Sequence, residues 1–259
     1  MILASILITS APNIPDPLPV VIRENIQSFK DVYPGIEHTL FDDRMIREFL
    51  SANFDGIVLH AYDELIPYAF KADLARYCIL YKLGGVYADV SFMVLSPYLP
   101  TDGKLAIFRD AGTTSPWAVA NGFIAAPAGH KALAKAIEMV CDHVKRGYHG
   151  SSPLCPTGPT LFGKAIALTC EPDELIIGEV LVRPQTSKAG YSLLCMAKTG
   201  LIAASRKGSV ATIETLGIAD GNNYAELWET RRVYRSDVGC PKSWNAKWLE
   251  ALRSRRPKG

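Results

Sequence analysis

Asp73, Arg76 and Asp89 are the side chains of this sequence best suited to carry chemistry. Asp73 and Arg76 stand three apart in a stretch without proline or glycine, so a helix there makes them neighbours on one face. Asp89 falls inside the apolar run Val86 to Val94. A carboxylate there is costly unless it is paired, bound to metal, or at the exposed end of a strand. One cation and two carboxylates near a strand end could bind a diphosphate, a sugar hydroxyl and a divalent ion. Magnesium and manganese are commonly held by one or two carboxylates, with phosphate oxygens and water completing the shell. The plainer alternative is a surface ion pair between Asp73 and Arg76, worth about 0–1 kcal/mol, and composition does not choose between the two.

The elements that must position these residues are legible in the hydrophobic pattern. Ile2 to Thr9 reads as a buried first strand, and prolines 12, 15, 17 and 19 enforce a loop after it. Val20, Val21, Ile22, Ile26 and Phe29 then predict a helix ending near Tyr33-Pro34-Gly35, a turn signal. Ile36 to Phe41 predicts a strand, and Met45, Ile46, Phe49 and Leu50 a helix beginning at Asp42 or Asp43. This strand and helix order opens an α/β sheet. Tyr68 to Leu83 predicts a long helix, stopped by Gly84-Gly85, where glycine takes positive φ without steric penalty. Val86 to Val94 follows as one strand, with Tyr87, Asp89, Ser91 and Met93 alternating onto one face.

The chain has 259 residues, 48% of them apolar and 21% charged, which suits a single domain spanning residues 1–259. With 28 basic and 26 acidic side chains the net charge is +2, too balanced for a nucleic-acid binder. Six cysteines lie far apart without a CxxC pair, as expected of buried thiols in a reducing compartment. The five histidines show no HxxxH spacing, which argues against zinc; His130, His143 and His149 are expected at the surface or at helix caps. The N-terminal apolar run is short and lacks a basic start, unlike a signal peptide. No segment approaches the ~20 apolar residues that span a bilayer. A cytoplasmic protein is the expectation, with the basic tail from about Trp248 able to touch the anionic inner face of a membrane, at roughly 1 kcal/mol per basic residue.

The stretch KADLARYCILYKLGGVYADVSF resembles the signature of DXD-containing sugar transferases, the family of the fungal initiating mannosyltransferases and, distantly, the glucosylating bacterial toxins. Asp73, Arg76, Tyr77, Leu80, Gly84, Gly85, Val86, Tyr87 and Asp89 fall in its register. Ser28 to Asp43 is similar to the family's upstream Ser-Trp-Lys segment, Asn121 to His130 to a downstream one, Thr157 to Pro159 to a third, and Ser243-Trp244 to its closing Ser-Trp. The resemblance implies a GT-A-type fold, a Rossmann-like open mixed sheet flanked by helices. It further implies transfer of a hexose or N-acetylhexosamine from a nucleotide-sugar, a UDP-sugar by preference, with retention, to a glycan or lipid-linked acceptor in surface polysaccharide synthesis.

Carried over residue by residue, the resemblance makes Asp73, Arg76 and Asp89 the catalytic set. Thr9, Ser10, Tyr77, Ser91, Asn121, Ser243 and Trp244 join them in binding the donor. Manganese or magnesium would sit weakly on Asp89, with Ser91 and Asp237 as further ligands. The carboxylates, serving ligand and not core, are expected to be removable at little cost in stability. Two departures from the pattern matter. The second carboxylate of the DXD motif is Ser91, a hydroxyl at the same-face i+2 position, and the histidine often found before the closing Ser-Trp is missing. They leave open a second class of function, a relative that binds nucleotide-sugar or glycan without turnover.

Two features compete with this reading. GPTLFGKA (Gly158 to Ala165) matches the start of a phosphate-binding loop, but prolines precede it and Ala165 replaces the magnesium-binding hydroxyl, so a glycine-proline turn capping a helix is expected. No GxGxxG follows the first strand, against a dinucleotide oxidoreductase. Trp117 and Trp228 could stack on a sugar or base, or simply pack at the rim.

Overall fold

The computed structural model describes residues 1–10, 14–99, 102–113, 115–182, 191–206 and 222–235. Their nine strands form one mixed sheet in the order β2-β1-β3-β6-β5-β7-β8-β9-β4. The first strand, β1 (Ile2–Ile6), pairs in parallel with β2 (His38–Phe41) and β3 (Gly85–Ala88). It is almost wholly buried, as suits an apolar run between two parallel neighbours. Antiparallel to β3 runs β6 (Val119–Ala126), followed in the sheet by β5 (Leu105–Asp110) and β7 (Leu175–Val182). The hairpin of β8 (Tyr191–Ala197) and β9 (Gly200–Arg206) comes next, and β4 (Phe92–Val94) closes the edge. This is the expected open mixed α/β sheet flanked by helices.

Each face of the sheet carries its own core. One packs Ile46, Leu50, Tyr62, Leu74, Cys78, Ile137, Val140 and Phe162 under helices; the other gathers Phe29, Val86, Phe92, Phe108 and Phe123. Helix α1 (Val20–Val32) buries Ile22, Asn25 and Phe29, a one-face spacing. Helix α2 (Asp43–Asn53) is capped by Asp42, whose carboxylate accepts from the Met45 N–H at 2.7 Å. After α3 (Gly56–Glu64) comes α4 (Tyr68–Leu83), the predicted long helix, buried at Phe70, Lys71 and every position from Asp73 to Tyr81. Surrounded in this way, it shows no amphipathic stripe.

Gly84, with φ of 60°, caps α4 as expected, yet left-handed geometry is only half the reason for the glycine pair. A Cβ on Gly84 would lie 2.6 Å from the Ala128 nitrogen, and one on Gly85 2.1 Å from the Ile2 carbonyl oxygen. Backbone approach at the start of β3 forbids any side chain.

The expected strand Val86–Val94 is two strands. The Asp89 N–H donates to the Gly122 carbonyl at 2.8 Å, and the Asp89 carbonyl accepts from the Phe92 N–H at 2.9 Å, closing a four-residue turn. β3 ends at Ala88, and the chain crosses to the far edge of the sheet as β4. Ser91 therefore does not share a strand face with Asp89, contrary to the alternation. Helix α1 decides this: Asn25 Nδ2 donates to the Val90 carbonyl at 2.9 Å, and Ser28 Oγ accepts from the Val94 N–H at 2.9 Å. The first strand also stops at Ile6, short of Thr9, and β2 begins at His38, not Ile36.

Helix α5 (Lys131–Arg146) starts from His130, whose Nδ1 accepts the Ala132 N–H at 3.3 Å, a cap as expected. His143 departs from expectation, being buried and stacked on Tyr148 with Nδ1 2.8 Å from the Pro156 carbonyl. His149 stacks on Trp228 at 4.5 Å. Helix α6 (Pro159–Ala167) begins at Gly158 with proline in its first turn, as the capping reading requires, and no strand leads into it. The last described element is α7 (Tyr224–Glu229), packed at the start of α4. Cys78, Cys141, Cys155, Cys170 and Cys195 are unpaired thiols; Cys240 and the tail from Trp248 lie outside the described residues. No described helix is long and apolar enough to cross a membrane.

Candidate functional site

The C-terminal end of β3, the start of β6, one face of α4 and the loop before α6 meet around Arg76. Its guanidinium is almost fully buried, which requires compensating charge. Nη2 lies 3.3 Å from Asp73 Oδ1 and Nη1 3.2 Å from Asp89 Oδ1. Nη1 also donates to the Asn121 carbonyl at 2.6 Å and Nε to the Ala72 carbonyl at 3.1 Å. The plane of the fork rests over the Tyr87 ring, 4.6 Å from its centre. The surface ion pair considered from sequence is ruled out, since the Asp73 and Arg76 side chains are only 11% and 5% exposed.

Asp73 is held as firmly. Its Oδ1 accepts from Asn121 Nδ2 at 2.8 Å and its Oδ2 from Thr157 Oγ1 at 2.7 Å. Asn121 Nδ2 also donates to the Tyr77 hydroxyl at 2.8 Å, and that hydroxyl donates to the Thr157 carbonyl at 2.9 Å. Phe162 stacks on Tyr77 at 5.1 Å and locks the ring. Burial raises the Asp73 pKa to about 6; the Arg76 charge and the Thr157 bond pull it down, Asp89 adds like-charge repulsion, and Asn121 pulls down again. Asp73 is thus part of the interior network, with both carboxylate oxygens bonded to protein groups, where the expectation had it serve ligand and not core.

Asp89 is the open member of the triad, with its side chain 36% exposed at the end of β3. Tyr87 donates its hydroxyl to Asp89 Oδ1 at 2.6 Å, across the single residue between them. Oδ2 packs against Gly122, where an added Cβ would lie 2.7 Å away. The arrangement presents one carboxylate oxygen outward, backed by a buried cation and a second buried carboxylate. Among the described residues no three His, Cys, Asp or Glu groups gather to hold a metal. Asp89 Oδ2 alone suits an ion that brings most of its own shell, such as one carried on a diphosphate.

The remaining expected site residues divide. Asn121 lies within the network, and Tyr77 braces it from a fully buried position with its hydroxyl committed to protein partners. Thr9 and Ser10 follow the end of β1, which runs parallel to β3, so they leave the sheet at the same end as Asp89. Ser91 sits in the turn after Asp89. Ser243, Trp244 and Asp237 lie outside the described residues. Sequence reasoning missed Thr157, the Tyr87 hydroxyl, Gly122 and Asn25. The signals available were Tyr87 at i−2 from Asp89 and Thr157 in the Thr-Gly-Pro segment; nothing marked Gly122 or Asn25.

Comparison with known proteins follows from this geometry. Residues 19–106 match the family described as "Glycosyltransferase sugar-binding region containing DXD motif". An uncharacterized glycosyltransferase of Acanthamoeba polyphaga mimivirus is 36% identical over 76 residues, 29% of this chain and 30% of that protein. Inositol phosphoceramide mannosyltransferase 3 of Schizosaccharomyces pombe is 32% identical over 111 residues, 41% of this chain and 29% of that protein. Inositol phosphoceramide mannosyltransferase 1 of the same yeast is 30% identical over 148 residues, 50% of this chain and 44% of that protein. The chain thus spans less than half the length of these curated relatives. Among solved structures the PaToxG glycosyltransferase superposes with a TM-score of 0.52 at 18% identity, over 64% of this chain and 68% of that one, a likeness of fold.

Proposed function

We propose, from the match of residues 19–106 to the sugar-binding region of the DXD-motif glycosyltransferases, that this protein transfers a hexose or N-acetylhexosamine from a nucleotide diphosphate sugar. The observation that carries the reading is the Asp73–Arg76–Asp89 triad, closed to solvent except at Asp89. A ligand entering at the end of β3 meets a carboxylate oriented by Tyr87 and Arg76, with the Asp73 network behind it. Such a fixed polar array acts on a departing diphosphate mainly by positioning and by preorganised electrostatics, with little reorganisation at the moment of transfer. A divalent ion, if held by Asp89, would neutralise charge on the leaving group.

A UDP-sugar is the preferred donor. The acceptor is a glycan or a lipid-linked glycan, the latter favoured by the names of the yeast relatives. Retention is carried from the resemblance; Asp73 is buried and the Asp89 carboxylate is tied to Tyr87 and Arg76, so neither is placed as the free nucleophile of a double displacement. A cytoplasmic protein acting at a membrane face in surface polysaccharide synthesis fits this chemistry.

Release of free nucleotide from a panel of UDP- and GDP-sugars tests the proposal. The parent protein should release one nucleotide from at least one donor, and Asp89→Asn should abolish that release while remaining folded. The second reading, binding without turnover, rests on Ser91 in place of the second motif carboxylate. Saturable nucleotide-sugar binding with no release under any metal would establish it instead.

A further inference from the structure

Tyr224 stands beside Phe70, on the face of α4 that also carries Asp73, although nothing in its local sequence marks it. The segment that carries it is fastened to the start of α4 at both ends. Asn222 Oδ1 accepts from the Tyr68 N–H at 2.6 Å and Asn222 Nδ2 donates to the Ile66 carbonyl at 3.3 Å. Beyond α7, the Val233 carbonyl accepts from the Ile66 N–H at 3.0 Å, and Tyr234 bridges to Leu65. Between these anchors the Tyr224 ring packs on Phe70, 6.3 Å between centres. Phe70, Asp73 and Tyr77 follow one another at i, i+3 and i+7 on one face of α4. Tyr224 is therefore stationed one helical turn before Asp73, on the side away from Arg76 and Asp89. Its side chain is partly exposed, and no described residue takes up its hydroxyl. Burial and the Asp73 charge hold its pKa above the ordinary value, so the hydroxyl stays protonated at neutral pH and can donate.

We propose that Tyr224 is a specificity-determining residue, its hydroxyl reading the edge of the transferred sugar that lies farthest from the diphosphate. The inference rests on the transferase reading above. With the diphosphate at the open Asp89 carboxylate and the sugar lying along the outer side of the Asp73–Asn121–Thr157 network, one further turn of helix, about 5.4 Å, brings the far side of a hexopyranose ring to Tyr224. That ring leaves through C1, so its far edge bears the C4 hydroxyl. A group placed to hydrogen-bond a substrate hydroxyl discriminates well against a donor that lacks it or points it elsewhere.

The test compares parent and Tyr224→Phe with UDP-glucose and UDP-galactose, which differ only at C4; for a GDP-linked donor the pair is GDP-mannose and its 4-deoxy analogue. The ratio of kcat/KM within the pair should change by about tenfold or more on removal of the hydroxyl. Affinity for the free nucleotide and the melting temperature should stay the same. An unchanged ratio overturns the assignment, as does an equal loss on both sugars accompanied by weaker nucleotide binding, which marks a structural role. A parent that binds nucleotide but releases it from no sugar donor overturns the transferase reading, and this assignment with it, whereas a selective parent left unaltered by Tyr224→Phe overturns this assignment alone.

Discussion

The guanidinium of Arg76 lies 3.2 Å from the Asp89 carboxylate, joining the middle of α4 to the end of β3 through two side chains of opposite charge. Because Arg76 is buried and Asp89 half-exposed, the pair conveys the order of the interior to the one carboxylate that faces a ligand. Arg76→Lys keeps the charge but loses the planar fork that serves Ala72, Asn121, Asp73 and Asp89 together. We expect the variant to fold and its kcat/KM for donor to fall at least a hundredfold, about 2.7 kcal/mol of transition-state stabilisation. Nucleotide release within tenfold of the parent rate would show that charge alone suffices.

Gly122 leaves room for the Asp89 carboxylate, since an added Cβ would lie 2.7 Å from Oδ2 and 3.0 Å from the Phe92 ring. Gly122→Ala should displace the carboxylate and remove most transfer activity. Gly163→Ala makes the contrast: its Cβ would fall 1.6 Å from the Trp117 carbonyl oxygen, a backbone atom that cannot swing aside. That variant should melt several degrees below the parent, more than Gly122→Ala does. Equal melting temperatures with intact activity in Gly122→Ala would contradict the tight approach at Asp89.

The raised Asp73 pKa, about 6 with burial as its main cause, has opposite consequences for stability and activity. An unfolded aspartate titrates near 3.9, roughly two units lower. Between those values the folded state binds more protons than the unfolded one, so this group's contribution to stability declines as pH rises from about 4 to about 6 and is constant above. Activity, if it needs the ionised Asp73–Arg76 pair, rises through the same window. Melting temperature and initial rate measured from pH 4 to 8 should show both trends. Asp73→Asn should lack that stability slope, and parallel curves for parent and variant would place the titration elsewhere.

Ser91 governs the metal prediction. Its hydroxyl is a poor ligand for a hard divalent ion, and Asp89 already bonds Tyr87 and pairs with Arg76. Manganese should therefore bind weakly to the protein alone and more tightly once UDP is present. Ser91→Asp should tighten binding without nucleotide only if the turn at residues 89–92 lets both carboxylates converge. Calorimetric titration of both proteins, without and with UDP, reads this directly. Tight binding by the unmodified protein alone would mean that another side chain completes the shell.

Much of this architecture was legible beforehand because it rests on local physics. Helix α4 was readable from Tyr68 to Leu83 since no proline or glycine interrupts it and Gly84 ends it. Asp73 and Arg76 were readable as neighbours from helical spacing, and Asp89 from the cost of a carboxylate among apolar residues. The open α/β class followed from the order of strands and helices, and the resemblance to sugar transferases from the register around Gly84-Gly85.

Tertiary structure alone decided the rest. Alternation made Val86 to Val94 one strand, but partners on α1 and β6 cut it at Asp89, and strand period carries no information about which distant amide takes a carbonyl. Whether Asp73 and Arg76 formed a surface pair or a buried network depended on Thr157 and Asn121, 84 and 48 residues away from Asp73. Tyr224 came to lie against Phe70 at the start of α4 because Asn222 binds that helix end across 154 residues. Sequence determines which side chains can carry charge and which segments can be helix or strand; burial, and with it the strength and role of each charge, is set only when remote segments close around them.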